Sequence, residues 1–198
     1  MKRTWTITAC LLFAGPAVLA AQSGFGIKGG ASFGNVSNKG VLPGDLGSRT
    51  GFAAGLSLAS KGGLVGLGVE GLYVQRGVTS STSGDARKLD YADVPVYVRV
   101  MVPTPGIKPF GYAGPQVSFE VSCKTGTADC PATDASGDKR AKTTYAGVIG
   151  GGVLLGGRTP FSIEGRYVYG LTDLKLGTIT SSDSYKTRSF MILAGSHF

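Results

Sequence analysis

Three glutamates and three basic residues fall in the middle of segments that are otherwise apolar or small: Glu70, Glu120 and Glu164 against Lys28, Arg99 and Arg166. Carboxylates and cations brought into one narrow space can line an ion path, relay protons, or neutralise one another as packing. Paired carboxylates also serve glycoside hydrolysis, but that chemistry needs a cleft, and no segment of this chain supplies one. His197 is the single histidine. Acyl-transfer and hydrolytic sites combine a histidine with Ser and Asp or Glu. A lone histidine beside the C-terminus, far from the long polar loops, argues against an enzyme.

Cys123 and Cys130 form an even pair and read as a disulfide. The loop they close is short, so the chain-entropy model gives about 2–3 kcal/mol. Two thiols with no nearby histidine make a poor zinc site. Gly24-Phe-Gly26-Ile-Lys-Gly29 and Gly66-Leu-Gly68-Val-Glu-Gly71 both fit the dinucleotide pattern G-x-G-x-x-G. That pattern works only where a strand turns into a helix, and both matches lie inside alternating segments with no helix after them. No cofactor is expected.

The elements that carry these residues alternate with period two. Strands are predicted near Gly24–Asn35, Thr50–Ser60, Leu64–Arg76, Lys88–Val102, Lys108–Ser122, Thr144–Gly156, Phe161–Leu171 and Thr187–Phe198. Short turns (Lys61–Gly63, Pro103–Gly106, Gly157–Pro160) alternate with long polar loops (Val36–Arg49, Gly77–Arg87, Cys123–Thr143, Thr172–Lys186). Short turns at one rim and long loops at the other, with an even strand count, are the layout of an outer-membrane barrel whose two termini are periplasmic. Parity sets the faces. Val65, Leu67, Val69 and Tyr73 oppose Gly66, Gly68 and Glu70; Val94, Val96, Val98 and Val100 oppose Asp93, Tyr97 and Arg99. A charge on the lipid face at mid-depth costs roughly 2–4 kcal/mol, so Lys28, Glu70, Arg99, Glu120, Glu164 and Arg166 are expected inside. A soluble lipocalin-like barrel would need the opposite arrangement, apolar within and polar without. The expected fold is all-β: an eight-stranded antiparallel up-and-down transmembrane barrel.

The ends and the composition agree with export. Lys2 and Arg3 followed by the mostly apolar Trp5–Leu19 read as a signal peptide cleaved after Ala20, with Ala21 nearly as good a site, leaving residues 21–198 as one barrel domain. Cys10 stands too early in that segment for a lipid anchor. Removing Lys2 and Arg3 leaves 18 basic residues against 12 acidic ones, a net charge of +6. The 33 glycines would cripple helices at roughly 1 kcal/mol each against Ala, whereas a closed sheet tolerates them where neighbours approach closely.

Five stretches resemble the PorT-type outer-membrane β-barrel family, a relative in architecture of the OmpA and OmpX barrels. They are Val69-Glu70-Gly71-Leu72-Tyr73, Asp90-Tyr91-Ala92-Asp93-Val94-Pro95-Val96, Lys108-Pro109-Phe110-Gly111-Tyr112-Ala113-Gly114-Pro115, Gly150-Gly151-Gly152-Val153 and Arg166-Tyr167-Val168-Tyr169-Gly170-Leu171-Thr172. The resemblance implies an eight-stranded barrel in a Gram-negative outer membrane and implies no activity. The expected role is structural or surface recognition by four external loops on a plugged barrel. The alternative is a narrow channel for ions or small solutes, and an outer-membrane enzyme ranks below both.

Basic residues where strands meet the long loops, Arg49, Arg76, Arg87, Lys88, Arg140, Lys142, Lys186 and Arg188, can contact outer-leaflet glycolipid phosphates. The ordinary reading of the same residues is solvated loop charge. The other expected partners are membrane lipid, an extracellular or envelope protein, and the assembly machinery, for which Phe198 resembles the terminal aromatic signal. Nucleic acid is not expected, and the barrel is expected to be a monomer.

Overall fold

The computed structural model describes residues 23–37, 46–60, 63–80, 86–125, 128–130, 142–157, 159–171 and 186–198. The expected signal peptide, residues 1–20, and Arg140 lie outside them. Nine strands follow in order: β1 (Ser23–Ser37), β2 (Leu46–Ser60), β3 (Val65–Ser80), β4 (Ala86–Met101), β5 (Ile107–Thr125), β6 (Ala128–Asp129), β7 (Thr143–Leu155), β8 (Phe161–Gly170) and β9 (Lys186–His197). Eight of them form the wall. Each pairs antiparallel with its neighbour, β5 with β7, and β9 returns to β1 to close the cylinder. The two-residue β6 pairs only with the end of β5, an addition that sequence alternation did not signal.

The wall strands run longer at the loop end than predicted. β2 begins at Leu46 rather than Thr50, β3 reaches Ser80 rather than Arg76, and β5 reaches Thr125 rather than Ser122. Apolar alternation marks only the band that one face must present, while the backbone ladder continues beyond it through polar residues. At the opposite rim Gly63 and Gly106 take φ of +80°, a left-handed conformation that costs glycine nothing and a Cβ-bearing residue much.

The outward positions are apolar in a continuous band, with Ile27, Leu56, Leu67, Val96, Val98, Ile149, Ile163 and Ile192 all exposed. The core lies inside the cylinder, where Leu72, Val74, Val148, Val168, Met191 and Leu193 are buried with a set of polar and charged residues. The faces are thus divided as predicted. One irregularity shifts them: Tyr91 pairs with Glu120 but Leu89 pairs with Cys123. The extra residue is a β-bulge, and it turns Cys123 inward although its parity is opposite to that of Glu120. Above it Cys123 bonds to Cys130, and the Cys130 amide donates to the Cys123 carbonyl at 3.0 Å. The disulfide staples the β5–β6 hairpin.

Two glycines set the shape of the interior. A Cβ at Gly68 would stand 2.4 Å from the Tyr97 ring, and one at Gly150 would stand 2.4 Å from the Tyr112 ring. Each ring lies where its neighbour has no side chain. Gly68→Ala and Gly150→Ala are therefore expected to lower barrel stability by about 1–3 kcal/mol each, the usual cost of overpacking. Urea titration followed by the heat-dependent shift in gel mobility measures this, and unchanged midpoints would count against the packing.

Candidate functional site

Four of the six predicted interior charges meet at one place. Lys28 stands on β1, Glu70 on β3, and Glu164 and Arg166 on β8. The Lys28 ammonium donates to Glu70 Oε1 at 2.7 Å and to Glu164 Oε2 at 2.9 Å. One guanidinium nitrogen of Arg166, Nη2, donates to Glu70 Oε2 and, at 2.9 Å, to Glu164 Oε1. Two tyrosines complete the cage. Tyr97 OH donates to Glu70 Oε1 at 2.8 Å, Tyr112 OH donates to Glu164 Oε1 at 3.1 Å, and Arg166 Nε donates to the Tyr112 oxygen at 2.8 Å. The Arg166 guanidinium also lies 5.2 Å from the centre of the Tyr112 ring, in cation–π range. Gly195 leaves room for the Lys28 stem, whose Cγ would be 2.8 Å from a Cβ there.

Two positive and two negative groups give the quartet no net charge, and every carboxylate oxygen accepts at least one bond. That is the condition under which buried charges are tolerable, because the Coulomb attraction must offset several kcal/mol of desolvation per ion. Arg166 is 0% exposed, so water does little of this stabilising. The geometry fills the lumen and leaves no carboxylate facing open space.

Arg99 and Glu120 do not join the quartet. Arg99 stands nearer the turn rim, where its Nη2 donates to the Ser60 carbonyl at 2.7 Å. Glu120 sits at the loop end beside the bulge and is half-buried; its amide donates to the Lys142 carbonyl. Parity put both on the inner side correctly, but height along the barrel separates them. The structure adds a contact that sequence reasoning missed, Ser162 Oγ to His197 Nε2 at 2.8 Å. Ser162 is 1% exposed, which shuts its hydroxyl away from any substrate.

Above the quartet, toward the long-loop rim, the lumen turns apolar and then polar again. The upper polar level centres on an ion pair between Arg76 and Asp93, with the Arg76 guanidinium 5.2 Å from the Tyr91 ring centre. This corrects the expectation for Arg76. It is buried inside the barrel and paired, and so is not placed to meet glycolipid on the outer surface. Arg76 has the same parity as Glu70, Leu72 and Val74 and so faces inward, and because β3 continues four residues past it it lies within the wall and not at its rim.

Of the other basic candidates, Lys88 and Lys142 are exposed, and Lys88 stands directly across from Lys124 in the β4–β5 register. Arg188 stacks on Tyr169 on the outer face, 5.5 Å from the ring centre. The side chains of Arg49, Arg87 and Lys186 lie outside the described residues. Among the described residues no group of histidines, cysteines and carboxylates could hold a metal ion. Phe198 closes the seam with an amide-to-carbonyl bond of 2.7 Å to Phe25 and a ring contact at 6.4 Å.

A closed eight-stranded cylinder with an apolar outside and a charged, filled inside agrees with a profile of the outer membrane protein beta-barrel domain, which matches residues 20–176. The chain belongs to this family. Among solved structures it is similar to Neisserial surface protein A, at 16% identity over 87% of this chain and 95% of that one, with a TM-score of 0.57. It is also similar to the outer membrane protein OprG from Pseudomonas aeruginosa, at 10% identity over 89% and 96%, with a TM-score of 0.54. No curated protein matches. At these identities the likeness is one of fold. For an outer membrane barrel the exposed band is the surface that meets lipid, and the crossing is made by strands.

The quartet gives a sharp expectation. Arg166→Met leaves Glu70 and Glu164 to share Lys28 and should cost about 3–5 kcal/mol, the usual penalty for an uncompensated buried charge. Arg99→Met, at the rim, should cost no more than about 1 kcal/mol. Equal midpoints for the two variants in urea unfolding would remove the quartet as the stabilising centre.

Proposed function

We propose that the protein is a plugged outer-membrane scaffold of the PorT type in a Gram-negative cell, whose task is structural or recognitive and lies with its long loops. The observation that carries this reading is the filled lumen. The quartet, its two tyrosines and the apolar side chains above them occupy an interior that, for eight strands, is only wide enough for side chains. With transport disfavoured, the connections at the loop rim are the parts free to vary. In this reading the long-loop rim faces outward, both termini are periplasmic, and the barrel works as a monomer without catalysis.

Lys88, Lys142 and Arg188 supply charge-assisted donors for glycolipid phosphates at the outer rim, with Tyr169 holding Arg188 at that depth. An extracellular or envelope protein is the partner expected at the loops. The disulfide-bonded hairpin on β5 gives that surface one fixed feature.

Single-channel recording in a planar bilayer tests the plug. Wild-type protein, verified as folded by its gel shift on boiling, is expected to be silent. Discrete openings that change with Glu70→Ala or Arg166→Ala would make the protein a pore. The assembly partner is tested separately. Deleting Phe198 removes the strand-closing contact to Phe25 and the aromatic proposed as the recognition signal, and the folded barrel in outer-membrane fractions should fall several-fold. Normal levels would exclude that role.

A further inference from the structure

The loop-end half of the lumen holds features that plugging by the quartet does not explain. Of eight buried side-chain polar atoms without partners among the described residues, five are Arg76 Nε, Asp93 Oδ1, Gln116 Oε1, Ser32 Oγ and Ser189 Oγ; the others are Ser57 Oγ, Arg188 Nε and Nη1 of the quartet's Arg166. All five residues are more than nine-tenths buried. Left dry, each such atom costs on the order of 1–3 kcal/mol, and five together rival the whole net stability of a domain, about 5–15 kcal/mol. A small cavity of about 20 Å³ opens at this level, with Arg76, Tyr91, Ser118 and Ser189 in its wall. A water molecule needs on the order of 10–15 Å³ measured this way and two to four polar partners. Both conditions are met.

The chemistry of the wall selects the occupant. Of the unpartnered atoms, Arg76 Nε and the Ser189 hydroxyl belong to wall residues, the first a donor and the second able to donate or accept, and the charge of Arg76 is already balanced by Asp93. A cation would meet the Arg76 guanidinium, and an anion would meet an arginine already neutralised by Asp93. Water alone satisfies both.

Between the cavity and the quartet the interior is lined by apolar side chains. Leu72 and Val74 on β3, Val148 on β7, Val168 on β8 and Met191 on β9 are each at most 4% exposed, Val168 forming part of the cavity wall as well, and Pro95 of β4 is fully buried with them. On β3 Arg76 and Glu70 are six residues apart, about 20 Å along the strand, with Leu72 and Val74 the inward residues between them. Apolar constrictions exclude ions by dewetting.

We infer that the loop-end lumen is a binding site for ordered water and that this water stops at the apolar ring. The ring, rather than the charged quartet beneath it, is then the barrier to ions. The inference rests on the plugged reading and deepens it by naming the seal. The quartet fixes the shape of the barrel and the ring keeps it closed.

Two measurements test it on the full chain in lipid bilayers. In water-edited solid-state NMR, magnetisation from water should reach Arg76 Nε–H and the Ser189 side chain several-fold faster than the methyls of Met191 and Val148. Equal build-up at the two levels would overturn the water site. In planar bilayers Met191→Ser combined with Val168→Ser should produce discrete openings, while Glu70→Gln remains silent. Openings in Glu70→Gln with silence from the folded double variant would return the barrier to the quartet. Openings in the wild type would sink the plugged reading itself, and the NMR pattern would still report whether the upper level is wet. Should the double variant fail to fold, the NMR comparison decides alone.

Discussion

Closing eight antiparallel strands into a cylinder fixes the width of the space within, and that space has to be filled. In lipid the closure is obligatory, since no edge may leave its N–H and C=O groups unpaired. The inward positions thus inherit a volume problem before they inherit any function. This chain solves it in levels: rim contacts at the turn end, the quartet with Tyr97 and Tyr112, an apolar ring, and the Arg76–Asp93 level. Where large rings must lie across the lumen, the strand beside them contributes glycine. Gly68 and Gly150 are the complement of the Tyr97 and Tyr112 rings, while Gly30, Gly55, Gly114 and Gly152 sit where a Cβ would meet a neighbouring strand's carbonyl.

One position strains the wall to serve the inside. Pro95 points inward and has no amide hydrogen to give the ladder. The β3–β4 pairing steps from Val69–Val96 to Leu72–Asp93 around it, whereas on the β4–β5 side Pro95 pairs with Gln116 and the ladder is interrupted one residue on, opposite Pro115. Proline is normally kept to edges and bulges. Here it sits mid-wall and lends its ring to the apolar level.

How much of this was legible follows from what alternation can carry. Period two assigned Glu70, Glu164, Arg166 and Lys28 to the inside because the face of each strand is set by its own residues. Their pairing was not legible, because Lys28 meets Glu164 across 136 residues and strand alternation holds no information on height. The same limit put Arg99 and Glu120 into a cluster they do not reach. Arg76 was misplaced for a related reason: the apolar signal ends where the band ends, whereas the strand and its inward face go on. The bulge at Val121 and Ser122, which brings Cys123 inside, is a one-residue slip that no pattern of polar residues announces. The loops, where this reading puts recognition, have no periodicity to read.

The glycine–tyrosine contacts also bear on how such a barrel can change over time. Gly68 and Tyr97, or Gly150 and Tyr112, act as single units of volume divided between two strands. A side chain can be gained at one member only if the other shrinks. In related chains these positions should therefore drift as matched pairs, large against small, with their sum held nearly constant, while the lipid-facing valines between them exchange freely. The wall would keep its shape through changes that leave very little of the sequence alike.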